Sequence, residues 1–364
     1  MTGSTSAIDA VIAADVERLA PGVEALGRRI EAATDEIDEI DDWPALLGER
    51  AAFDGFGPPS RISCGGAARL LPCADGWVAV NLARPSDIEL VPAWLGIDIT
   101  SDAPLDDERW ATIAAAIGRT TGETLVAGAS LLGLPVGLLG ERPPAPDGGI
   151  RRTSFGPSPR STRVGNGPIR VVDLSALWAG PLCGSLLAAA GAEVIKVEST
   201  TRPDGARVGS PALYHRLNGR KEHRSLDATS SAGRAQLATL LARADVVIES
   251  ARPRALEQLG IGAADLLAAP DGPDVWVSIT GHGRSSSRVA FGDDAAVAGG
   301  LVCRHQGPRF LADAVADPLA GLAAAAAAFE ALAADDRMLL DVSMAGVAAT
   351  HAAAMVPEPQ PASG

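Results

Sequence analysis

Apolar runs alternate with helix-like stretches through the second half of the chain. Ile169–Leu174 and Ala192–Glu198 read as buried strands, and a helix of small residues that opens at Ala179–Pro181 separates them. Two later runs, Asp245–Glu249 and Val275–Ile279, have the same apolar character. Parallel strands need a crossover of about this length, usually a helix. The pattern therefore predicts an α/β fold with a mainly parallel sheet and a ligand above its carboxyl edge.

The first half of the chain has a different pattern. Residues 8–50 carry spaced apolar positions typical of helices, and a strand-like segment, LLPCADGWVAVNLA, follows a glycine-containing loop. Residues 141–168 are rich in Pro, Gly, Ser and Arg, which predicts a linker. The predicted division is a helical N-terminal segment (1–59), a small α+β domain (60–140), a linker (141–168), an α/β domain (169–355) and a disordered tail (356–364).

Composition narrows the classes of ligand. The net charge is −14 and aromatic residues make up 4% of the chain, which disfavours nucleic acid and anionic membranes as partners. A phosphate-rich ligand would need a local basic pocket. The four scattered cysteines indicate free thiols in a reducing compartment, and no histidine pair suggests a metal site. The sequence shows no leader or long apolar run, so the predicted location is the cytoplasm.

Three features of residues 169–207 are more specific than the strand pattern. They are the Ala179–Pro181 turn, the GA-x-VIKVE strand that ends at Glu198, and a D-x-x-R formed by Asp204 and Arg207. Together they resemble the opening of the family III CoA-transferases, which include formyl-CoA transferase, carnitine CoA-transferase and α-methylacyl-CoA racemase. The resemblance implies a Rossmann-like CoA-binding domain, with acyl-CoA and an organic acid as substrates. It also implies that no cofactor is permanently bound and that the unit is a homodimer, interlocked in this family.

The order of the parts departs from that family. Cys64–Arg69, the D-G-W strand and the LPVGLL at 134–139 resemble the family's small domain, which follows the α/β half there but precedes it here. The chain therefore resembles a circular permutation of the family over residues 60–140 and 169–350. Such a rearrangement is physically reasonable where termini lie close together at the surface.

Asp317 is the predicted nucleophile. In the family that the chain resembles, the carboxylate of an aspartate in a G/A-D-x-x-x-G sequence attacks the acyl-CoA thioester. Residues Ala316–Gly321 match this sequence. Asp followed by Pro is also a common helix N-cap, so the same carboxylate has a structural interpretation. Asp313, one turn earlier, is the competing candidate and reads as a loop residue.

Eight further residues match positions that contact CoA or substrate in the family. Gly65 and Gly66 stand for its glycine loop, whose backbone N–H groups would stabilise an oxyanion, although two glycines are also typical of a simple turn. Trp178 replaces a glutamine that contacts substrate, or belongs to the core. The basic positions that would bind phosphates, or form a solvated loop, are Arg207, Arg220, Lys221, Arg224 and Arg252. Near Arg252, Ser250 and Gln258 depart from the family pattern.

Three other functions compete with the transferase. A racemase of this family pairs its aspartate with a histidine, but the matching stretch reads Phe291–Asp294 and contains none. An inactive CoA-binding relative is compatible with the altered CoA positions. A nicotinamide-dependent dehydrogenase is disfavoured because no G-x-G-x-x-G follows the first strand.

Overall fold

The computed structural model describes residues 7–34, 40, 42–99, 105–158, 167–334 and 336–355. It contains a large, mostly parallel sheet and a smaller antiparallel sheet, each with its own helices. The predicted α/β class, with a Rossmann-like sheet and a smaller α+β part, is confirmed. The predicted tail at 356–364 lies outside the described residues.

The large sheet has seven strands in the order β4-β10-β9-β8-β5-β6-β7. All neighbours run parallel except β4, which pairs antiparallel with β10. The strands are β4 (Ile150–Pro157), β5 (Arg170–Asp173), β6 (Glu193–Ser199), β7 (Glu222–Leu226), β8 (Val246–Glu249), β9 (Val275–Thr280) and β10 (Asp336–Ser343). The order reverses at β5, which is where ligands bind in open parallel sheets.

Helices cover both faces of this sheet. They are α7 (Ala179–Ala189), α8 (Ala206–Gly209), α9 (Pro211–Asn218), α10 (Ser231–Leu241), α11 (Pro253–Glu257), α12 (Ala263–Ala268), α13 (Gly292–Ala298), α14 (Ala316–Ala333) and α15 (Met344–Met355). The alanine-rich α14 is the central helix, and it packs against α7, α15 and β10. Its small side chains let neighbours approach closely: Gly321 lies against the backbone of Ala179 and the side chain of Leu182.

Among the described residues, α14 is the helix whose length and hydropathy would suit a membrane span. However, 78% of it is buried inside the fold. Its apolar composition is therefore explained by the neighbours that surround it, as for a helix in the middle of a protein core.

The small sheet contains β1 (Ala68–Cys73), β2 (Gly76–Asn81) and β3 (Val136–Leu138), all antiparallel. Helices α4 (Pro85–Leu95), α5 (Asp107–Ile117) and α6 (Gly122–Leu132) complete a separate apolar core. The sheet docks on α13: the N–H of Gly140 donates to the carbonyl of Val297 at 3.0 Å. This docking places the glycine loop that precedes β1 beside the edge of the large sheet.

The N-terminal helices join the core of the large sheet. They are α1 (Ala7–Glu17), α2 (Ala20–Ala33), a 3-10 turn (Trp43–Gly48) and α3 (Glu49–Asp54). Val23 and Ile30 of α2 are fully buried in the apolar cluster built around α14, and Arg29 forms an ion pair with Glu330 at 2.6 Å. Segment 1–59, predicted as a unit of its own, is thus packed into the α/β part, at least over its described residues.

The segment predicted as a linker, 141–168, differs from that prediction because it contains β4. Ile150 points into the core, while the next four residues are exposed. Arg151 pairs with Asp341 of β10 at 2.6 Å. A polar strand is possible here because β4 is at the edge of the sheet, where one ladder satisfies part of its backbone and water the rest. The domain boundaries and the permuted order stay predictions.

Candidate active site

A cleft of about 280 Å³ lies at the carboxyl edge of the large sheet, beside β5. The start of α7, the start of α13, the start of α14, α3 and the glycine loop form its walls. The residues of interest that line it are Arg50, Gly65, Trp178, Phe291, Asp293 and Asp317. Sequence-predicted residues from both halves of the chain, Gly65, Trp178 and Asp317, therefore meet at one place.

Asp317 lies in the first turn of α14 and faces this cleft. The N-cap of α14 is Val315, so the N-cap interpretation of Asp317 is wrong. Its carboxylate accepts instead from the backbone N–H groups of Gly292 and Ala179. Burial raises the pKa of Asp317 to about 7, although Arg50 and these two donors act in the opposite direction. Asp317 is therefore a half-buried carboxylate that is held by backbone donors and titrates near neutral pH.

Two backbone features make room for Asp317. A side chain at Gly292 would overlap the Asp317 carboxylate and the carbonyl of Ala314, so only glycine fits there. Ala314 has a φ of 44°, a left-handed conformation that costs free energy for a residue with a side chain. Leu177, on the opposite wall, has a φ of 69°. Strain of this kind is concentrated at the cleft, which supports its being a functional site.

Arg50 is the basic residue that lines the cleft, and no motif in the sequence indicates its role. Its Nε donates to Asp313 at 2.7 Å, and a second nitrogen contacts the other carboxylate oxygen. The guanidinium lies 5.5 Å from the ring centre of Trp178. Asp313 is buried and bound to Arg50, which explains why it is a partner of the site and not an open carboxylate.

Asp293 and Asp294 open α13 on the same side of the cleft. Asp293 accepts from the N–H of Ala314 at 3.1 Å, and burial together with the charge of Asp313 raises its pKa to about 7. Asp294 is fully buried and accepts from the N–H of Phe291 and from Asn81, and burial raises its pKa to about 8. We call Arg50, Asp293, Asp313 and Asp317 the acid cluster: three carboxyl groups share one guanidinium.

The glycine loop contributes one residue to the cleft wall, Gly65. Gly66 does not line the cleft; its φ is 77° and its N–H closes a turn on the carbonyl of Ser63 at 2.9 Å. Gly65 is thus the member of the predicted pair that faces Asp317, and Gly66 shapes the turn. Cys64, which precedes them, is half-buried, and burial together with Asp313 and Asp293 raises the pKa of its thiol to about 12.

Trp178 belongs to the core, as one of its two predicted interpretations holds, and its predicted contact with substrate stays a prediction. It is 2% exposed and belongs to the main core, and its ring also forms part of the cleft wall. Among the described residues its indole Nε1 has no hydrogen-bond partner.

Comparison with known proteins identifies the family. Residues 168–361, more than half of the chain, match the family described as CoA-transferase family III. The chain belongs to CoA-transferase family III. This confirms the resemblance found in the sequence.

Individual relatives of this family III chain match shorter stretches. A succinyl-CoA–D-citramalate CoA-transferase of Chloroflexus aurantiacus is 34% identical over 146 residues, 36% of this chain and 35% of that protein. An α-methylacyl-CoA racemase of Mus musculus is 37% identical over 128 residues, 34% of this chain and 31% of the racemase. A solved CAIB/BAIF family protein from Brucella suis is 27% identical, with a TM-score of 0.47, over 53% of this chain and 55% of that one. The matched stretches span about a third of the curated relatives' length.

Lys221 of this family III chain is not placed to bind a phosphate, contrary to the sequence prediction. Its side chain is fully buried, and Nζ donates to Asp173 and to the carbonyl of Pro181, both at 2.8 Å, and to Asn218 at 3.0 Å. A second buried pair, Lys196 and Asp204 at 3.2 Å, lies beside it. We call Asp173, Lys196, Asp204 and Lys221 the lysine cluster. The contacts of Lys221 Nζ with Asp173, Pro181 and Asn218 use all three of its hydrogens.

The remaining predicted basic residues are nearer the surface. Arg207 is bound to Glu198 by three hydrogen bonds of 2.8 to 3.2 Å, and it lies over Tyr214. Arg224 pairs with Glu222 of the same strand, and Arg220 is exposed. None of the three lines the cleft that contains Asp317.

Arg252 lines a second cavity of about 490 Å³, beyond β8 and β9 at the same edge of the sheet. Arg284, which is bound to Glu249 at 3.0 Å, contributes to the same wall. The other lining residues are Ala255, Gln258, Ser285, Ser286 and Ser287. Two guanidinium groups and three hydroxyl groups provide donors suited to phosphate oxygens.

Proposed function

We propose that the protein transfers coenzyme A from an acyl-CoA thioester to a carboxylic acid, with Asp317 as nucleophile. One observation carries the proposal: the Asp317 carboxylate faces a cleft at the edge of the sheet, held there by two backbone N–H groups and not used as a helix cap. Membership of CoA-transferase family III supports it.

The first step follows from this geometry. An oxygen of Asp317 bonds to the acyl carbon, the carbon–sulfur bond breaks, and the products are a mixed anhydride and the coenzyme A thiolate. Negative charge develops on the acyl oxygen during the attack, and we assign its stabilisation to a backbone N–H of the glycine loop at Gly65, which lines the cleft. The thiolate then attacks the Asp317 carbonyl of the anhydride, which releases the donor acid and leaves a thioester between Asp317 and coenzyme A. The acceptor carboxylate displaces the thiolate from this thioester to form a second anhydride. Attack of the thiolate on the acyl carbon of the acceptor gives the new thioester and regenerates Asp317.

The nucleotide end of coenzyme A is assigned to the cavity that Arg252 and Arg284 line, because it joins donors for phosphate with space for a large group. Lys221 is not available to bind the phosphates, because its ammonium group already donates to three protein oxygens. The basic surface residues Arg207, Arg220 and Arg224 line neither the cleft nor this cavity.

The acyl group is expected to be uncharged. The lining of the cleft is largely apolar and includes Phe56, Leu177 and Phe291. The positive charge of Arg50 is taken up by Asp313, so a second carboxylate on the acyl group would face Asp293 without a counter-charge.

Trapping the anhydride tests the mechanism. The protein is incubated with a panel of acyl-CoA thioesters, quenched with hydroxylamine and digested, and we expect a hydroxamate on Asp317 by mass spectrometry. Asp317→Asn keeps the size of the side chain and should give no adduct. Normal acyl exchange by that variant would disprove the assignment.

Two alternatives give different results in the same assays. A racemase would incorporate deuterium at the α-carbon of a branched acyl-CoA in deuterated water without an acceptor acid, using Asp293 and Asp317 as its two bases. An inactive relative would bind labelled coenzyme A and give neither exchange nor adduct.

A further inference from the structure

We propose that Asp293 is the acid of the cleft: it gives its proton to the coenzyme A sulfur as the thioester is cleaved, and takes it back when the sulfur attacks again. This rests on the proposed function, in which Asp317 forms the anhydride. It adds a proton donor that the family motif does not contain.

Geometry places Asp293 beside the nucleophile. Both residues line the same cleft, and each accepts from a backbone N–H of the segment that carries the other. The N–H of Gly292 is directed to Asp317, and the next residue along α13 is Asp293, which accepts from the N–H of Ala314 at 3.1 Å. Ala314 itself lies three residues before Asp317. A thioester that lies against Asp317 must therefore pass close to Asp293.

Charge balance makes Asp293 the group that carries a proton. The charged or titratable groups that interact with it are Arg50 from α3, Asp313 and Asp317 at the start of α14, Asp294 from α13 and Cys64 from the glycine loop. Arg50 is committed to Asp313 through both of its oxygens. Two carboxyl groups in one buried site without a cation of their own share a proton, as adjacent buried acids do.

The reaction moves this proton without changing the charge of the cleft. The oxygen of Asp317 bonds to the acyl carbon, the electron pair of the carbon–sulfur bond goes to sulfur, and the proton of Asp293 follows it there. The products are the neutral anhydride, the free thiol and the Asp293 carboxylate. Burial and the charge of Asp313 are the main reasons why the pKa of Asp293 is raised, and Asp317 adds to them. Because Asp317 loses its charge as Asp293 gains one, this added repulsion ends as the proton leaves.

The experiment compares two leaving groups. Single-turnover formation of the Asp317 adduct is measured with an acyl-CoA and with the 4-nitrothiophenyl thioester of the same acyl group, whose thiolate is a weak base and leaves without a proton. Asp293→Asn should slow the reaction of acyl-CoA by roughly 10²-fold, as loss of a general acid does. It should barely affect the aryl thioester. Asp294→Asn, the neighbouring buried acid outside the cleft lining, is the matched control and should change neither rate.

A second readout is the dependence of rate on pH. The wild type should lose activity above neutral pH as Asp293 ionises; Asp293→Asn should lose that falling limb, and Asp293→Glu should restore it. An equal loss on both donors, or none on acyl-CoA, would overturn the role of Asp293 while the Asp317 adduct still forms. Absence of any Asp317 adduct in the wild type would refute the proposed function and this inference with it.

Discussion

Two buried charge clusters lie at the same edge of the sheet, and they differ in the ratio of acids to bases. The lysine cluster has two lysines for two aspartates, with all four side chains at most 1% exposed. The acid cluster has three aspartates for one arginine. Although burial acts against the ionised form in both, Lys221 and Lys196 lower the pKa of Asp173 to about 2, whereas the pKa of Asp317 is raised to about 7.

The comparison shows that burial alone does not decide whether a carboxylate is reactive. Asp173 is permanently ionised, but its charge is bound to Lys221 and to the hydroxyl of Ser175. Asp317 has a higher pKa and one exposed face, so it is both more basic and within reach of a substrate. A buried cluster with equal numbers of acids and bases stabilises the fold. A cluster with more acids than bases has perturbed pKa values, which are typical of functional sites.

Removing the nucleophile has the largest expected effect. Asp317→Asn should lower the turnover of acyl exchange by about 10³-fold or more, because no other group replaces a covalent nucleophile. Its thermal stability at pH 8 should be at least that of the wild type, since an amide replaces an unbalanced charge. Steady-state exchange and a thermal melt measure the two. If the variant loses stability but keeps its turnover, Asp317 has a structural role and the contrast between the acid cluster and the lysine cluster is wrong.

Breaking the balanced cluster should show the opposite pattern. Lys221→Met leaves Asp173 buried without its main partner, which costs roughly 3 to 5 kcal/mol of unfolding free energy. Urea titration measures this loss, and the added change Asp173→Asn should recover part of it. Whichever of these two variants remains folded should have the same Michaelis constant for acyl-CoA as the wild type. A clear rise in the Michaelis constant would show that Lys221 does take part in binding acyl-CoA.

Basic residues in the second cavity should act on binding alone. Arg252→Ala should raise the Michaelis constant for acyl-CoA roughly ten-fold, equivalent to about 1.4 kcal/mol, with little change in turnover. Arg224→Ala, on the exposed strand β7, is the matched control and should have no effect. Similar effects of both variants would mean that the assay reports general surface charge and not a site.

The two acids that open α13, Asp293 of the acid cluster and its buried neighbour Asp294, should respond to pH in the opposite way to Asp173 of the lysine cluster. Asp293 and Asp294 have pKa values of about 7 and 8 in the folded chain, above the value near 4 of an unfolded chain. They contribute stability below pH 4 that is lost as the pH rises toward 8, whereas Asp173 contributes stability that is lost as the pH falls from about 4 to 2. Asp294→Asn should therefore raise the melting temperature by a few degrees at pH 8.5 and much less at pH 5. An equal gain in melting temperature at pH 8.5 and at pH 5 would show that the ionisation of Asp294 is not its cause.

Sequence reasoning found what short-range pattern can encode. The parallel strands and Asp317 at a helix start follow from motifs within a few residues of each other. Arg50 and Asp313 are 263 residues apart, so no local signal links them. The sequence does not distinguish Lys221 from the exposed Arg220 beside it, because the burial of Lys221 depends on the space that Gly184 leaves in α7. Oligomeric state, cellular location and the permuted order stay predictions, and light scattering at low concentration will test the homodimer.

The pairing of Arg50 with Asp313 also has a consequence for how the protein is made. Loop closure over such a long stretch is among the slow events of folding. A nascent chain that has released Asp317 from the ribosome still lacks a working centre until its first helices have docked on α14. The cleft around Asp317 is therefore complete only when segments from both halves of the chain have come together, because Arg50 and Asp54 form part of its lining.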